Sequence, residues 1–365
     1  MEPKITFGHT GDYYVAYQYL LRKLGYTVIV PPKSTKESLD LGIKYSSGQA
    51  CFPFKVLLGN FIQGLDKGAN FVVMIGGRTG ICRLAYYTEL YKKILNNMGY
   101  EFEFFPFKLK KEMWDIIKKH FPNTKFIDFV RYFYAFWHKF RLLEILREQT
   151  FLNRPYEIKY GACTQLYNRL LKQIDLADSV KEMKELKKQI FYEFENVPKD
   201  KKKQVIKIGI VGEFFILIDQ FSSLNIEHIL GDLGVVVIPS AYLSGFMLGS
   251  LKQVRFLDMF LPTKKHKIAK LAKPFINRRI GGHTMESIGH TIEFALSGID
   301  GVIHIYPFTC MPEITATAIF PKVSKKYDIP VLSLCFDEQT GIAGIQTRLE
   351  AFVDMIKRKK FKKGV

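Results

Sequence analysis

The stretch KITFGHTGDYYVAYQYLLRKLGYTVIVPP, residues 4–32, sets the pattern of the whole chain. KITFGH is a short apolar strand, and DYYVAYQYLLRKLGY has apolar residues at helical spacing before Gly25, a residue type that commonly ends helices. TVIVPP is a second strand, which two prolines end. A strand, a helix and a second strand in succession predict part of a parallel sheet covered by helices.

This alternation occupies two parts of the chain. It continues to residue 107 through a helix that starts near Pro53, the strand NFVVMIGG, a helix from residue 84 and the strand EFEFFPF. It restarts near residue 201, after a stretch dominated by long helical patterns and closed by the polar segment NVPKDKKKQ. The sequence therefore predicts an α/β fold with two Rossmann-like parallel-sheet domains, residues 1–107 and 201–365, and a helical insertion over residues 108–200.

Length and composition are those of a soluble globular protein. The chain has 365 residues, of which 47% are hydrophobic and 24% charged, enough for two domains with sizeable cores. The sequence shows no signal peptide, and its apolar runs are too short or too interrupted to span a bilayer. We therefore expect a cytoplasmic protein without a membrane association. Five cysteines in a reducing compartment indicate free thiols or metal ligands rather than disulfides.

The net charge of +19 raises the question of an acidic partner. Lysines are densest in PKDKKKQ and in the tail KRKKFKKGV. A nucleic-acid binder would use such charge, but no recognition motif accompanies it. A lysine-rich, solvated surface is therefore the favoured interpretation, and no nucleic-acid partner is expected. Binding of an acidic partner protein or of a phosphorylated substrate is a third, intermediate interpretation of the charge.

Three cysteines occupy similar positions beside glycines, prolines and helix starts. Cys51 begins CFPFKVLLGN, Cys82 lies in GGRTGICRLAYY, and Cys310 lies in IYPFTCMPE. Ligands of open parallel sheets bind at the carboxyl ends of the strands, where we expect these thiols to lie. A helix N-terminus favours the thiolate, the form that binds metals.

Spacing alone leaves other interpretations of the cysteines open. No C-x-x-C is present, so the usual zinc and ferredoxin patterns are missing. A zinc site with one histidine, from His283, His290 or His304, is an alternative. Cys163 and Cys335 lie in a helix-like and a strand-like segment and are predicted to be small buried hydrophobes.

Five segments resemble the iron–sulfur subunits of the 2-hydroxyacyl-CoA dehydratase family, together with the related benzoyl-CoA reductase and double-cubane cluster proteins. The closest resemblance is to the stand-alone, activase-associated branch. The segments follow one another along nearly the whole chain: CFPFKVLLGN, GGRTGICRLAYY, IVGEFFILIDQFSSLNIEHILGDLG, DGVIHIYPFTCMPE and PVLSLCFDEQTGIAGIQTRLEAFVD.

The resemblance implies a cofactor, its ligands and a partner. Cys51, Cys82 and Cys310 match the cysteines that ligate a [4Fe-4S] cluster, or a double-cubane [8Fe-9S] cluster, in that family. The resemblance also implies low-potential reduction or reductive radical chemistry on a small-molecule or acyl-CoA substrate. The electrons would come from a separate ATP-dependent iron–sulfur activase. This chain has no P-loop of its own. A non-catalytic cluster carrier or electron relay is the alternative.

Further residues have a functional and a structural interpretation. Arg83 is a candidate to bind the cluster or an anionic substrate, or to form an ion pair. Glu313 is a candidate acid or base, or a carboxylate that stabilises a helix N-terminus. His283 is a candidate pocket residue, and His290 is more typical of a structural histidine. The aromatic-rich segment 129–143 predicts a homodimer, because so apolar a helix normally meets a partner.

Overall fold

The computed structural model describes most of the chain and divides it into two compact units. The described residues are 2–75, 83–107, 118, 125–240, 242–245, 264–278 and 280–361. Unit 1 comprises Met1–Leu143 and Ile174–Glu185, and unit 2 comprises Glu144–Gln173 and Leu186–Val365. Each unit contains one four-stranded sheet.

The sheet of unit 1 is entirely parallel, as predicted. Its strands run in the order β2-β1-β3-β4, and pairs such as Ile5 with Phe71 fix the register of the central two. The change of direction between β1 and β3 is the position where open α/β sheets place their ligand crevice. The strands are β1 Lys4–Phe7, β2 Thr27–Val28, β3 Phe71–Ile75 and β4 Glu103–Phe107.

Among the described residues, four helices accompany this sheet, and three of them were predicted. The helix between Thr35 and Ser46 was not predicted, although Thr35 and Ser38 form a capping box at its start. The helices are α1 Tyr14–Lys23, α2 Lys36–Tyr45, α3 Phe52–Asp66 and α4 Leu84–Asn97.

Two glycines bring α2 and α3 into backbone contact. A Cβ on Gly42 would lie 1.7 Å from the Lys55 carbonyl oxygen, and one on Gly59 would lie 1.7 Å from the Ser38 carbonyl oxygen. No side chain fits at either position, so the crossing depends on both glycines. This crossing fixes where α3 begins, and Cys51 is the residue immediately before it.

Unit 2 repeats the sheet topology of unit 1. Its strand order β6-β5-β7-β8 is again parallel and again changes direction at the first strand. The strands are β5 Ile206–Gly212, β6 Val235–Pro239, β7 Gly301–Pro307 and β8 Val331–Phe336. The two sheets together confirm the α/β prediction of two parallel-sheet domains.

The remaining helices either belong to unit 2 or contribute to both units. The long helices α5 Phe126–Asn153, α6 Ala162–Leu176 and α7 Val180–Asn196 fall in the region where helical patterns were predicted. Unit 2 also contains α8 Phe214–Ile218, α9 Ile226–Asp232, α10 Lys264–Ala272, α11 Thr284–Leu296, α12 Met311–Tyr327 and α13 Ile342–Phe361. Within the described ranges, no helix has the length and apolarity that a bilayer crossing requires.

One core of unit 2 lies between the central strands β5 and β7 and the helices α11 and α12. Val211 of β5 and Val302 of β7 pack against Ile288 of α11 and Phe320 of α12, and all four are buried. Because α11 and α12 pack on this shared core, their N-termini are held at one edge of the sheet.

Candidate functional site

Cys51 lies where the sequence predicts it, directly before a helix. It is the N-cap residue of α3, with extended backbone angles, and Pro53 occupies the first turn. The Cys51 carbonyl accepts hydrogen bonds from the backbone N–H groups of Phe54 and Lys55, at 2.9 and 3.4 Å. The side chain is half-buried. The thiol therefore lies at a helix N-terminus, the position that favours a negative charge on sulfur.

The helix direction places Cys51 at the carboxyl edge of the sheet in unit 1. The His9 backbone N–H, just after β1, donates to the Asn60 side chain of α3 at 3.1 Å, whereas Thr6 within β1 contacts Gly64 further along α3. Later residues of the strand thus meet earlier residues of the helix. Helix α3 runs antiparallel to β1, and its first residue lies beyond the carboxyl end of that strand.

Two cationic side chains hold the loop that leads to Cys51. The Arg83 guanidinium donates to the Gln49 carbonyl oxygen at 3.3 Å, and the Lys55 ammonium approaches the Gly48 carbonyl oxygen at 3.5 Å. Lys55 is only 3% exposed, so it is not a solvated surface lysine. Arg83 is the N-cap of α4, and both cations place positive charge beside the Cys51 loop.

Tyr87 is a neighbour of Cys51 that was not among the site residues predicted from the sequence. Its hydroxyl oxygen accepts the Cys51 backbone N–H at 3.5 Å. Burial, with a further contribution from Cys51, raises the pKa of Tyr87 well above its usual value. The phenol therefore stays protonated and can donate. A helical pattern alone does not reveal this contact, because it depends on how α4 packs against α3.

Cys82 lies outside the described residues. In the sequence it directly precedes Arg83, the N-cap residue of α4.

Cys310 occupies the corresponding position in unit 2. It is the N-cap residue of α12, with Pro312 in the first turn, and it is 8% exposed. The residue before it, Thr309, has a φ of +67°, which is unusual for a β-branched residue and therefore strained. The chain thus accepts a strained turn immediately before this thiol.

Glu313 is buried beneath this turn in a hydrogen-bonded network. Its Oε2 accepts the Ser287 hydroxyl at 2.9 Å and lies 2.9 Å from His304 Nε2. Glu313 is 1% exposed and His304 is fully buried. Among the described residues, Glu313 Oε1 has no hydrogen-bond partner. The carboxylate therefore does more than face a helix N-terminus, because a histidine and a serine fix its orientation.

His283 and Glu213 extend this group of titratable side chains. His283 is the N-cap residue of α11, and the neighbouring Thr284 hydroxyl donates to the Pro312 carbonyl at 2.7 Å, so the starts of α11 and α12 touch. Glu213 caps α8 by accepting the Ile216 N–H at 3.0 Å. Burial raises the pKa of Glu213, the Glu313 carboxylate raises it further, and backbone donors and His283 oppose the shift.

Of the other two cysteines, Cys163 is buried as predicted, whereas Cys335 was predicted to be buried and is only half-buried. Cys163 is completely buried in α6, and burial raises its pKa to about 12. Cys335 lies on β8, where burial also raises its pKa. Cys163 is the second residue of α6 but is fully buried there, and Cys335 lies within a strand. His290 pairs with Glu293 one turn away at 3.0 Å, as a structural histidine would.

The donor set can be compared with what an iron–sulfur cluster requires. Cysteine thiolates ligate such clusters, and N–H or O–H donors to the sulfurs stabilise them. Cys51 and Cys310 each lie at a helix N-terminus, and Cys51 also has Lys55, Arg83 and Tyr87 around it, so both residues fit that role. Among the described residues, no group of three or more His, Cys, Asp and Glu side chains is arranged to hold a metal ion. Cys82 lies outside the described residues. Cys51 belongs to unit 1 and Cys310 to unit 2, and the surroundings of each thiol are those of its own unit.

One family model matches the chain. Residues 9–74 match the model described as CoA enzyme activase uncharacterised domain (DUF2229). The match contains Cys51, Lys55 and Asn60 but ends before Arg83 and Tyr87. It supports the activase-associated theme of the resemblance in general terms. No curated protein matches the chain.

Proposed function

We propose that this chain is an iron–sulfur protein whose cluster, held by Cys51, Cys82 and Cys310, receives electrons at low potential from an ATP-dependent activase. The observation that carries the proposal is the setting of Cys51. A thiol at a helix N-terminus, with two cations and a tyrosine hydroxyl beside it, lies inside a segment that matches an activase-linked domain. A [4Fe-4S] or double-cubane [8Fe-9S] cluster would supply the electron-transfer chemistry.

The residues around Cys51 would stabilise negative charge. Lys55, Arg83 and the N-terminus of α3 offset the charge of a thiolate-bound, anionic group, and their effect is stronger because Lys55 is shielded from water. Three protein thiolates would leave one ligand position for substrate, water or a bridging sulfide, since catalytic metal sites keep an open position.

The residues around Cys310 favour an enzyme over an electron relay. Reduction of an organic substrate consumes protons as well as electrons, and an electron relay needs no proton donors. Glu313, Glu213 and His283 are titratable groups at or near the turn that carries Cys310. In this proposal Glu313 and His283 hold or move a proton for a small-molecule or acyl-CoA substrate, and Arg83 binds its anionic part.

A homodimer belongs to the same proposal. Helix α5 buries Phe136 and Phe140 but leaves Ile127 and Tyr134 more than half exposed. Exposed apolar side chains along one helix are typical of a contact surface. Light scattering at micromolar concentration distinguishes a dimer of about 85 kDa, twice the 42.3 kDa chain, from a monomer.

Metal analysis of anaerobically purified protein tests the proposal. We expect a brown protein with about four irons and four acid-labile sulfides per chain, or about eight irons and nine sulfides. Because one iron position is open, the colour should fade in air. Colourless protein without iron, or protein that contains zinc alone, would refute the proposal. Turnover with an activase and ATP then separates an enzyme from a relay.

A further inference from the structure

We infer that the loop after β1, residues 8–13, binds phosphate through the N-terminus of α1 and the side chains of Thr10 and Asn60. The loop follows the strand at which the order β2-β1-β3-β4 changes direction. Open parallel sheets bind ligands at this switch point, and the turn after the first strand commonly holds a phosphate. The inference is independent of the proposed cluster, since Asn60 lies about 12 Å along α3 from Phe52, the first residue of that helix.

The backbone at the start of α1 suits an anion. The helix is 10 residues long, the side chain of its N-cap residue Tyr13 does not cap it, and no acidic residue lies in its first turn. The first N–H groups of a helix need acceptors, and the helix dipole favours negative charge there. Gly11 has a φ of +56°, a conformation that glycine adopts without strain. A helix start alone does not make a site, so the inference depends on the side chains around this one.

Three polar side-chain atoms in and beside the loop are buried and have no hydrogen-bond partner among the described residues. They are Nδ1 of His9, Oγ1 of Thr10 and Nδ2 of Asn60. His9 is 3% exposed and Asn60 is fully buried. Buried polar atoms without a partner are costly and rare in folded proteins, so each needs an explanation. A ligand that accepts hydrogen bonds at the start of α1 supplies one.

Contacts within unit 1 hold the side chains of His9 and Asn60 at the loop. The His9 backbone N–H donates to Asn60 Oδ1 at 3.1 Å, and the Ser34 hydroxyl donates to the same oxygen at 3.4 Å. These two bonds fix the amide so that its N–H₂ group is the end left for a ligand. The His9 ring lies 5.2 Å, between centroids, from the ring of Tyr14, the first residue of α1.

The charges of the loop are balanced without a ligand. The Asp12 carboxylate is 8% exposed and lies 3.4 Å from the Lys33 ammonium, which offsets its charge. Burial lowers the pKa of His9 to about 4, so its ring is neutral at pH 7. The donors are therefore neutral N–H and O–H groups, whose hydrogen bonds are stronger to an anionic oxygen than to a neutral one. A phosphate has enough oxygens to accept from the helix start, Thr10 and Asn60 together.

The test compares Thr10→Val with the matched variant Thr6→Val. Thr6 is fully buried within β1, its Oγ1 also has no partner among the described residues, and it contacts Gly64, one turn beyond Asn60 on α3. Neither substitution changes the net charge of +19, which attracts anions to the whole surface. Both should leave the melting temperature of the ligand-free protein unchanged or higher, because neither removes a hydrogen bond between described residues.

Calorimetric titration of the full chain with inorganic phosphate at neutral pH measures the binding. We expect one saturable site per chain in wild type and in Thr6→Val. The dissociation constant should be at least about tenfold higher in Thr10→Val, since a hydrogen bond to a charged group is lost. Asn60→Asp keeps the oxygen that accepts from His9 and Ser34 but replaces the N–H₂ group, so it should show no measurable binding. If that variant does not fold, the two threonine variants decide.

Three results would overturn the inference: no saturable phosphate binding in wild type, undiminished binding in Thr10→Val, or an equal loss in Thr6→Val. The first would mean that ordered water satisfies the buried atoms. A parallel titration with flavin mononucleotide, a phosphate monoester, identifies the source of the phosphate. Tighter binding than inorganic phosphate indicates a mononucleotide, and equal or weaker binding indicates free phosphate. Both results require the phosphate site and support the inference.

Discussion

The turns that carry Cys51 and Cys310 have the same backbone arrangement, but the charged side chains around the two thiols differ. Each thiol is the N-cap of a helix with a proline in its first turn, at the carboxyl edge of a parallel sheet whose strands have the same order. Lys55, Arg83 and Tyr87 accompany Cys51. Carboxylates and histidines accompany Cys310.

The difference separates what the fold supplies from what the side chains supply. The parallel sheet and the helix start put a thiol at the edge where ligands bind, and they do so in both units. The charges around each thiol then suit different tasks. Cations and a hydroxyl donor stabilise an anion, whereas buried carboxylates beside histidines are groups that hold and transfer protons.

Removal of Glu313 should have the largest effect on stability. Glu313→Ala leaves His304 and Ser287 without their carboxylate partner inside the core of unit 2, so we expect the free energy of unfolding to fall by about 3–5 kcal/mol. Urea denaturation measures this. Glu350→Ala, on the exposed face of α13, should change it by less than about 0.5 kcal/mol. Equal losses in the two variants would mean that the network around Glu313 contributes little.

Acid should weaken unit 1 through His9. This histidine is 3% exposed, and its burial lowers its pKa from 6.5 to about 4. The folded form therefore binds fewer protons than the unfolded form between these values. Stability is complete above pH 6.5, falls by about 3 kcal/mol as the pH drops towards 4, and then levels.

His9→Gln should remove that part of the pH dependence. Urea midpoints at several pH values between 7 and 4 provide the comparison with wild type. His266→Gln, at an exposed site on α10, serves as the control and should keep the wild-type profile. A wild-type pH profile in His9→Gln would show that His9 does not cause the loss.

The smallest stability effect is expected for Lys55. Replacement of a buried charge by an apolar side chain of similar length is often neutral, so Lys55→Met should change the free energy of unfolding of metal-free protein by no more than about 1 kcal/mol. The same variant should lower the reduction potential of the iron-loaded protein, because a nearby positive charge favours the more negative reduced state. Voltammetry would contradict this role if the potential stays the same or rises.

Most of the architecture could be predicted from the sequence, because most strands and helices have a recognisable local sequence pattern. Short apolar strands alternate with helices of 3.6-residue period, and Gly25 and the prolines separate them. The helix α2 was missed because its apolar residues, from Leu39 to Tyr45, fall at every second position rather than at helical spacing. Only the Thr35–Ser38 capping box signals its start. Sequence similarity between the halves is too weak to indicate a repeat, yet both sheets have the same strand order, because topology does not require similar side chains.

The sites were predictable only where the chain itself brings residues together. Cys51 and Pro53 are neighbours in sequence, so their place at the start of α3 followed from local rules. The contact of Tyr87 with Cys51 joins two helices across 36 positions, and the pairing of Glu313 with His304 joins a helix to a strand. Such contacts depend on tertiary packing, which hydrophobic periodicity does not specify.

The central proposal is that Cys51, Cys82 and Cys310 are ligands of an iron–sulfur cluster, and the iron content of five single variants tests it most directly. We expect Cys51→Ser, Cys82→Ser and Cys310→Ser each to lose most of the iron after anaerobic purification. Cys163→Ser and Cys335→Ser should retain the wild-type amount, because their thiols lie within packed elements. Equal iron retention in all five variants, or iron loss that spares any of the first three, would contradict the account.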